Sequence, residues 1–162
     1  MSLELLAEVK RFLSRLEAVQ QELTLHFERK TIALKSARAP ELRQLAEIEK
    51  GLVSRLQQNL TERKEILDRA SKQGLPAKTL QQLTESIAGG DWPLLRVRID
   101  RARQSAAGLR RESWIHWIVA SRTYSNYDAL LEIIANRGEA APVYGDTQKL
   151  HAKGGAILDA SI

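Results

Sequence analysis

Two pairs of side chains are spaced for chemistry. Glu22 with His26, and Glu112 with His116, each set a carboxylate and an imidazole four residues apart, which on a helix is one turn. Helical bundles hold metals with such groups, but the di-iron proteins use Glu-x-x-His, three residues apart, and neither pair has that spacing. The apolar stripe through Leu16, Leu23 and Phe27 leaves His26 about 100° away, on the flank of its helix. Both pairs are therefore expected to be ordinary surface contacts, with no metal ligand and no cofactor site. The sequence has no cysteine, which excludes disulfides, thiolate metal centres and a cysteine nucleophile. Gly89-Gly90-Asp91 puts an acid where a phosphate-cradling loop would need its anion, and no Ser stands in a nucleophile-elbow pattern. These observations point away from an enzyme.

The formal charge of +5 on 162 residues raises nucleic acid as a partner. Much of the surplus lies in Arg96, Arg98, Arg101, Arg103, Arg110 and Arg111. At 100° per residue these spread around the arc left by Leu95, Ile99, Ala102, Ala106 and Leu109, a solvated face and not a basic stripe. No nucleic-acid partner is expected. No apolar run reaches the roughly 18 residues of a membrane span, and the start of the chain lacks the layout of a signal peptide, so stable membrane insertion is not expected and the cytoplasm is the expected location.

The elements that position these groups are helices. Leu5, Leu6, Val9, Leu13, Leu16, Leu23, Phe27 and Leu34 recur at 3,4 spacing, with Gln20 and Lys30 as interruptions. That helix should stop near Ser36, because Ala39-Pro40 disfavours helix before the proline and opens the next one. The second helix carries Leu42, Leu45, Ile48, Leu52, Leu56, Leu60 and Leu67, with Gly74 as its C-terminal cap. A short helix should follow the Thr79 cap through Leu80, Leu83 and Ile87 and end at Gly89-Gly90. Asp91 then reads as the N-cap of a last helix of about 45 residues, with Pro93 in its first turn. No strand signal is present. The fold class is all-α: an elongated antiparallel bundle or coiled coil of three long helices plus one short one, over residues 1–137, with residues 138–162 a flexible, disordered C-terminal tail rich in glycine.

The last helix and the tail carry large apolar residues beyond what a bundle of this kind needs. Trp117, Ile118, Val119, Tyr124, Tyr127, Leu130, Leu131, Ile133 and Ile134 cover a wide arc, and the tail retains Tyr144 and Ile157-Leu158. Aromatic residues at helical spacing are often plain core, but an arc this wide leaves surface for another protein. Trp117, Tyr124, Tyr127, Leu131 and Ile134 are the expected anchors on the helix. Tyr144, Ile157 and Leu158 are the expected contacts in the tail.

The layout, two long Leu- and Glu-rich helices, a short Gly-terminated segment, a last long helix and a loose C-terminus, resembles the FlgN family of flagellar export chaperones. Tyr144-Gly145, a polar spacer and Gly155-Ala156-Ile157-Leu158-Asp159 are similar to the family's C-terminal ending. The chain departs from the family at Arg110-Arg111-Glu112-Ser113-Trp114, where members place an Asn- and Leu-rich turn, which marks a divergent branch. The resemblance implies a cytoplasmic, non-enzymatic chaperone that binds hook-associated flagellar proteins, prevents their premature assembly, and delivers them to the export gate of the flagellar type III export apparatus. A coiled-coil structural or oligomerisation module without chaperone activity is the alternative, and a homodimer stays open under either.

Overall fold

A computed structural model describes residues 2–135, with side chains placed for most of them as far as Asp128. The described residues are all-α. The order is α1 (Ser2–Lys35), α2 (Ala39–Lys72), α3 (Leu80–Ile87), a single 3-10 turn (Gly89–Asp91) and α4 (Trp92–Ala135). The tail and its Tyr144, Ile157 and Leu158 lie outside the described residues.

Helix ends follow local chemistry. Past α1, Ser36 is the C-cap, Ala37 takes φ +50°, and Ala37 N and Arg38 N donate to Leu34 O (3.2 Å) and Ala33 O (3.1 Å). Those two bonds make a Schellman closure. Its left-handed residue is normally glycine, and the Cβ of Ala37 makes that conformation unfavourable by about 1–2 kcal/mol. Helix α2 ends the same way with the expected residue. Gly74 has φ +74°, Gly74 N reaches Ser71 O (3.0 Å) and Leu75 N reaches Ala70 O (3.1 Å). Pro40 sits in the first turn of α2, where its missing N–H leaves no bond unmade. The Thr79 hydroxyl accepts from Gln82 N at 3.1 Å and starts α3. Asp91 precedes α4, but its carboxylate is held by Lys10 Nζ at 2.5 Å, across to α1.

The chain divides into two compact units, one running to Leu109 and the other beginning at Arg110. In the first unit, α1 and α2 are antiparallel. Three heptad tracks of α1 are buried: Leu5, Phe12, Val19, His26 and Ala33; Val9, Leu16 and Leu23; and Leu6, Leu13, Gln20 and Phe27. A stripe three positions wide per heptad serves two neighbours at once. The first two tracks meet α2, where Leu45, Leu52, Leu56, Asn59, Ile66 and Ala70 are buried. The third turns to the first half of α4, as Gln20 shows by donating from Nε2 to Ala102 O at 3.0 Å. That half of α4 runs parallel to α1, since Asp91, Arg98 and Ala102 pair in rising order with Lys10, Glu17 and Gln20.

Several sequence expectations change here. Ile48 is 52% exposed, not part of the α2 stripe, and Ile66 rather than Leu67 is fully buried, because the α2 seam keeps a strict seven-residue repeat through 45, 52, 59 and 66. Gln20 is no interruption; it sits 3% exposed with its amide bonded. Arg98 and Arg103 are not merely solvated. Arg98 donates from Nε and Nη2 to both Glu17 carboxylate oxygens at 2.9 Å, and Arg103 donates to Gln81 Oε1 at 2.7 Å.

Candidate partner-binding surface

Two surfaces have the residue types to engage a partner, one in each unit. In the second unit, α4 runs on to Ala135. Its first turns carry Trp114 (46% exposed), Ile115 (45%) and Val119 (40%), large apolar groups in contact with water. Trp117 is half-buried and stacks on Trp114, with ring centroids 4.9 Å apart and planes 25° apart. Two stacked indoles present one broad apolar plate, a form suited to a binding anchor. Of the five anchors read from the sequence, Trp117 is thus next to the exposed group. Tyr124, Tyr127, Leu131 and Ile134 lie on the described helix, but their side chains lie outside the described residues. Sequence reasoning passed over Trp114 and Ile115 as anchors. The signal was present in the Trp-x-x-Trp spacing, which places both rings on one face of a helix.

The second pair is not on the open surface that the sequence suggested. His116 is only 6% exposed and Glu112 half-buried.

In the first unit, the expected Glu22–His26 contact is not made. Glu22 instead takes Arg55 of α2 end-on, with Arg55 Nη1 and Nη2 donating to its two oxygens at 2.6 and 2.8 Å. The bond from Arg55 lowers the Glu22 carboxyl below its ordinary value and raises the Arg55 guanidinium. His26 is buried, not on the flank. It belongs to the seam track with Phe12 and Val19, and its Nε2 lies 3.0 Å from Glu49 Oε2. Lys30 Nζ reaches the same oxygen at 2.5 Å. A carboxylate only accepts, so in this contact His26 Nε2 is the donor and carries a proton. Burial pushes the Glu49 carboxyl up, but the bonds from Lys30 and His26 outweigh it, and the group stays below its ordinary value. Sequence reasoning missed Glu49 altogether. It occupies the α2 seam position seven residues before the buried Leu56, where an acid is read as a break in the apolar pattern.

The ion pairs between α1 and α2 form a ladder. Arg69 holds Glu8 (2.9 Å), Glu62 pairs with Arg15, and Arg55 holds Glu22, each rung seven residues further along α1 and seven back along α2. Beyond the third rung, Glu22, Leu25, His26, Arg29, Leu45, Ile48 and Leu52 line an open groove of about 190 Å³. Elsewhere, burial lowers the Arg63 guanidinium, and the nearby charge of Arg103 adds to that. No helix among the described residues is long and apolar enough to cross a membrane.

Neither surface assembles a nucleophile with a base, and what both offer is apolar area edged with charge. No family model, no curated protein and no solved structure matches this chain.

Proposed function

We propose that this protein is a cytoplasmic, non-enzymatic export chaperone of the FlgN type, binding hook-associated flagellar proteins and delivering them to the flagellar type III export gate. The observation that carries the reading is the exposed apolar plate of α4, Trp114 stacked on Trp117 beside Ile115 and Val119, on a helix that continues through Tyr124, Tyr127, Leu131 and Ile134. Subunits that become helical only on assembly present amphipathic stretches beforehand, and such stretches are liable to aggregate. An exposed apolar helix face offers them a substitute partner, with anchors at 3,4 and 7 spacing. The likeness of Tyr144-Gly145 and Gly155-Ala156-Ile157-Leu158-Asp159 to the family's ending supports a second contact, with the gate or with the cargo.

The test is calorimetric titration of the full chain with the purified terminal segment of a hook-associated protein. Replacing Tyr127 and Leu131 with Ala should weaken binding by about 2 kcal/mol or more if they are central anchors, with helical content unchanged. Equal affinity in a folded double variant removes the site.

A second reading, a coiled-coil structural module, is supported by the strict heptad seam and ion-pair ladder of α1 and α2. Strong self-association without cargo would favour it.

A further inference from the structure

The ladder between α1 and α2 has a missing rung. Its three pairs, Glu8–Arg69, Arg15–Glu62 and Glu22–Arg55, advance by one heptad each. The next step sets Arg29 against position 48, where a carboxylate would complete the series. Position 48 is Ile48, 52% exposed, and among the described residues Arg29 has no ion-pair partner. The acids nearby are committed elsewhere: Glu22 to Arg55, Glu49 to His26 and Lys30, and Glu47 to Lys50 at 2.6 Å.

The same flank is apolar where the rest of the ladder is charged. Leu25 (47% exposed) and Ile32 (57%) lie one turn before and about one turn after Arg29 on the same side of α1. Ile48 faces them from α2, and the groove between the two helices is floored by His26, Leu45 and Leu52. Apolar side chains around a single unpaired guanidinium, in a channel bounded by two antiparallel helices, fit a third helix that lies along them.

We propose that this flank docks an amphipathic helix of another protein, one that inserts apolar residues between Leu25, Ile32 and Ile48 and supplies a carboxylate to Arg29, so that the partner completes the fourth rung. Charge complementarity selects the occupant. A second copy docking through the same patch about a two-fold axis would bring Arg29 towards Arg29, and like charges across an interface are unfavourable. An acidic helix removes that conflict and forms a bidentate guanidinium–carboxylate pair. This surface shares no residue with the aromatic plate of α4 and does not rest on its assignment to cargo.

The experiment uses the full chain and two synthetic helical peptides of about three heptads, with the same apolar stripe and one central Glu or one central Lys. Fluorescence anisotropy should show the Glu peptide binding roughly tenfold tighter or more. Arg29→Glu should reverse the order. Ile48→Glu supplies the missing acid within the chain, so it should keep or raise the melting temperature while losing both peptides, and Ile48→Ser should weaken both without reversing them. The proposal is overturned if wild type binds the two peptides equally, if Arg29→Glu leaves the preference unchanged, or if Ile48→Glu still binds. It is overturned equally if sedimentation shows the free chain to be a dimer that Ile48→Glu disperses, since the occupant is then a second copy.

Discussion

Helix α4 treats its apolar residues in two ways. Before Leu109 it buries Leu95, Ile99, Ala102 and Leu109, all at or below 4% exposure, and it leaves Leu94 and Val97 outside. After Arg110 the side chains become larger and more aromatic, yet Trp114, Ile115 and Val119 stand 40–46% exposed. Size and hydrophobicity therefore do not rank burial along this helix. In the first half, medium aliphatic and small residues at 3,4 spacing fit between α1 and its neighbours at close range. In the second, indoles stack on each other and leave faces in water, which costs free energy that a partner could recover.

The comparison breaks most clearly through the core of the first half. Ile99→Ala should lower unfolding free energy by about 2–5 kcal/mol in urea titrations, because Ile99 is fully buried and truncation leaves a cavity. A loss below about 1 kcal/mol would mean the two halves of α4 do not differ as described.

The polar layer at the end of the α1–α2 seam should come next. Glu49→Gln removes a charged acceptor from both His26 and Lys30 and should cost on the order of 1–3 kcal/mol at neutral pH. Because the folded carboxyl lies below its ordinary value, its contribution is complete above the unfolded value, near pH 4.5. It is lost as pH falls through the lowered folded value. Wild type should therefore lose stability on acidification below about pH 5 more steeply than Glu49→Gln, and parallel acid limbs would dismiss the layer as a stabilising one.

Ala37→Gly should stabilise by about 1 kcal/mol, since glycine removes the Cβ from a left-handed residue in an exposed turn. The predicted shift is an increase in denaturation midpoint with unchanged slope. A decrease would show that flexibility gained by the unfolded chain outweighs the strain relieved.

The smallest effect on stability belongs to the second half of α4. Val119→Ser should change unfolding free energy by no more than about 0.5 kcal/mol, and Trp114→Ala by less than about 1.5 kcal/mol, the scale of one stacked aromatic pair. On the proposed chaperone reading, both should nonetheless weaken capture of a hook-associated protein's terminal segment. Stability losses as large as that of Ile99→Ala would make the aromatic stretch core, and the contrast between the halves would vanish.

Helix ends were legible because their causes are local. Pro40, Gly74 and Thr79 act within their own turn, and each stands where its chemistry requires. Ala37 was not legible, since nothing within the turn favours alanine at positive φ. The candidate surfaces were readable in part. The aromatic arc drew attention to the second half of α4, but the members that stand exposed near the start of the second unit, Trp114 and Ile115, were not among the residues singled out. Gln20 was read as a break in an apolar track, His26 was placed on the flank by its angle from Leu16, Leu23 and Phe27, and Glu49 was not read; the position of each is explained only by a hydrogen-bond partner on another helix. The vacant rung at Arg29 was invisible for the same reason, because it exists only relative to three pairs formed between helices.

The sequence by itself determined an all-α fold for the described residues and about where the first three helices begin and end, because backbone preference and 3,4 periodicity act over one or two turns. Tertiary structure decided the rest. It set the heptad phase that buries His26 and Ile66 while exposing Ile48, the parallel course of the first half of α4 beside α1, and the choice of Arg55 over His26 as the partner of Glu22. Burial and ion pairing depend on what stands across the interface, and that is fixed only when two helices adopt one register out of several that the same stripes allow.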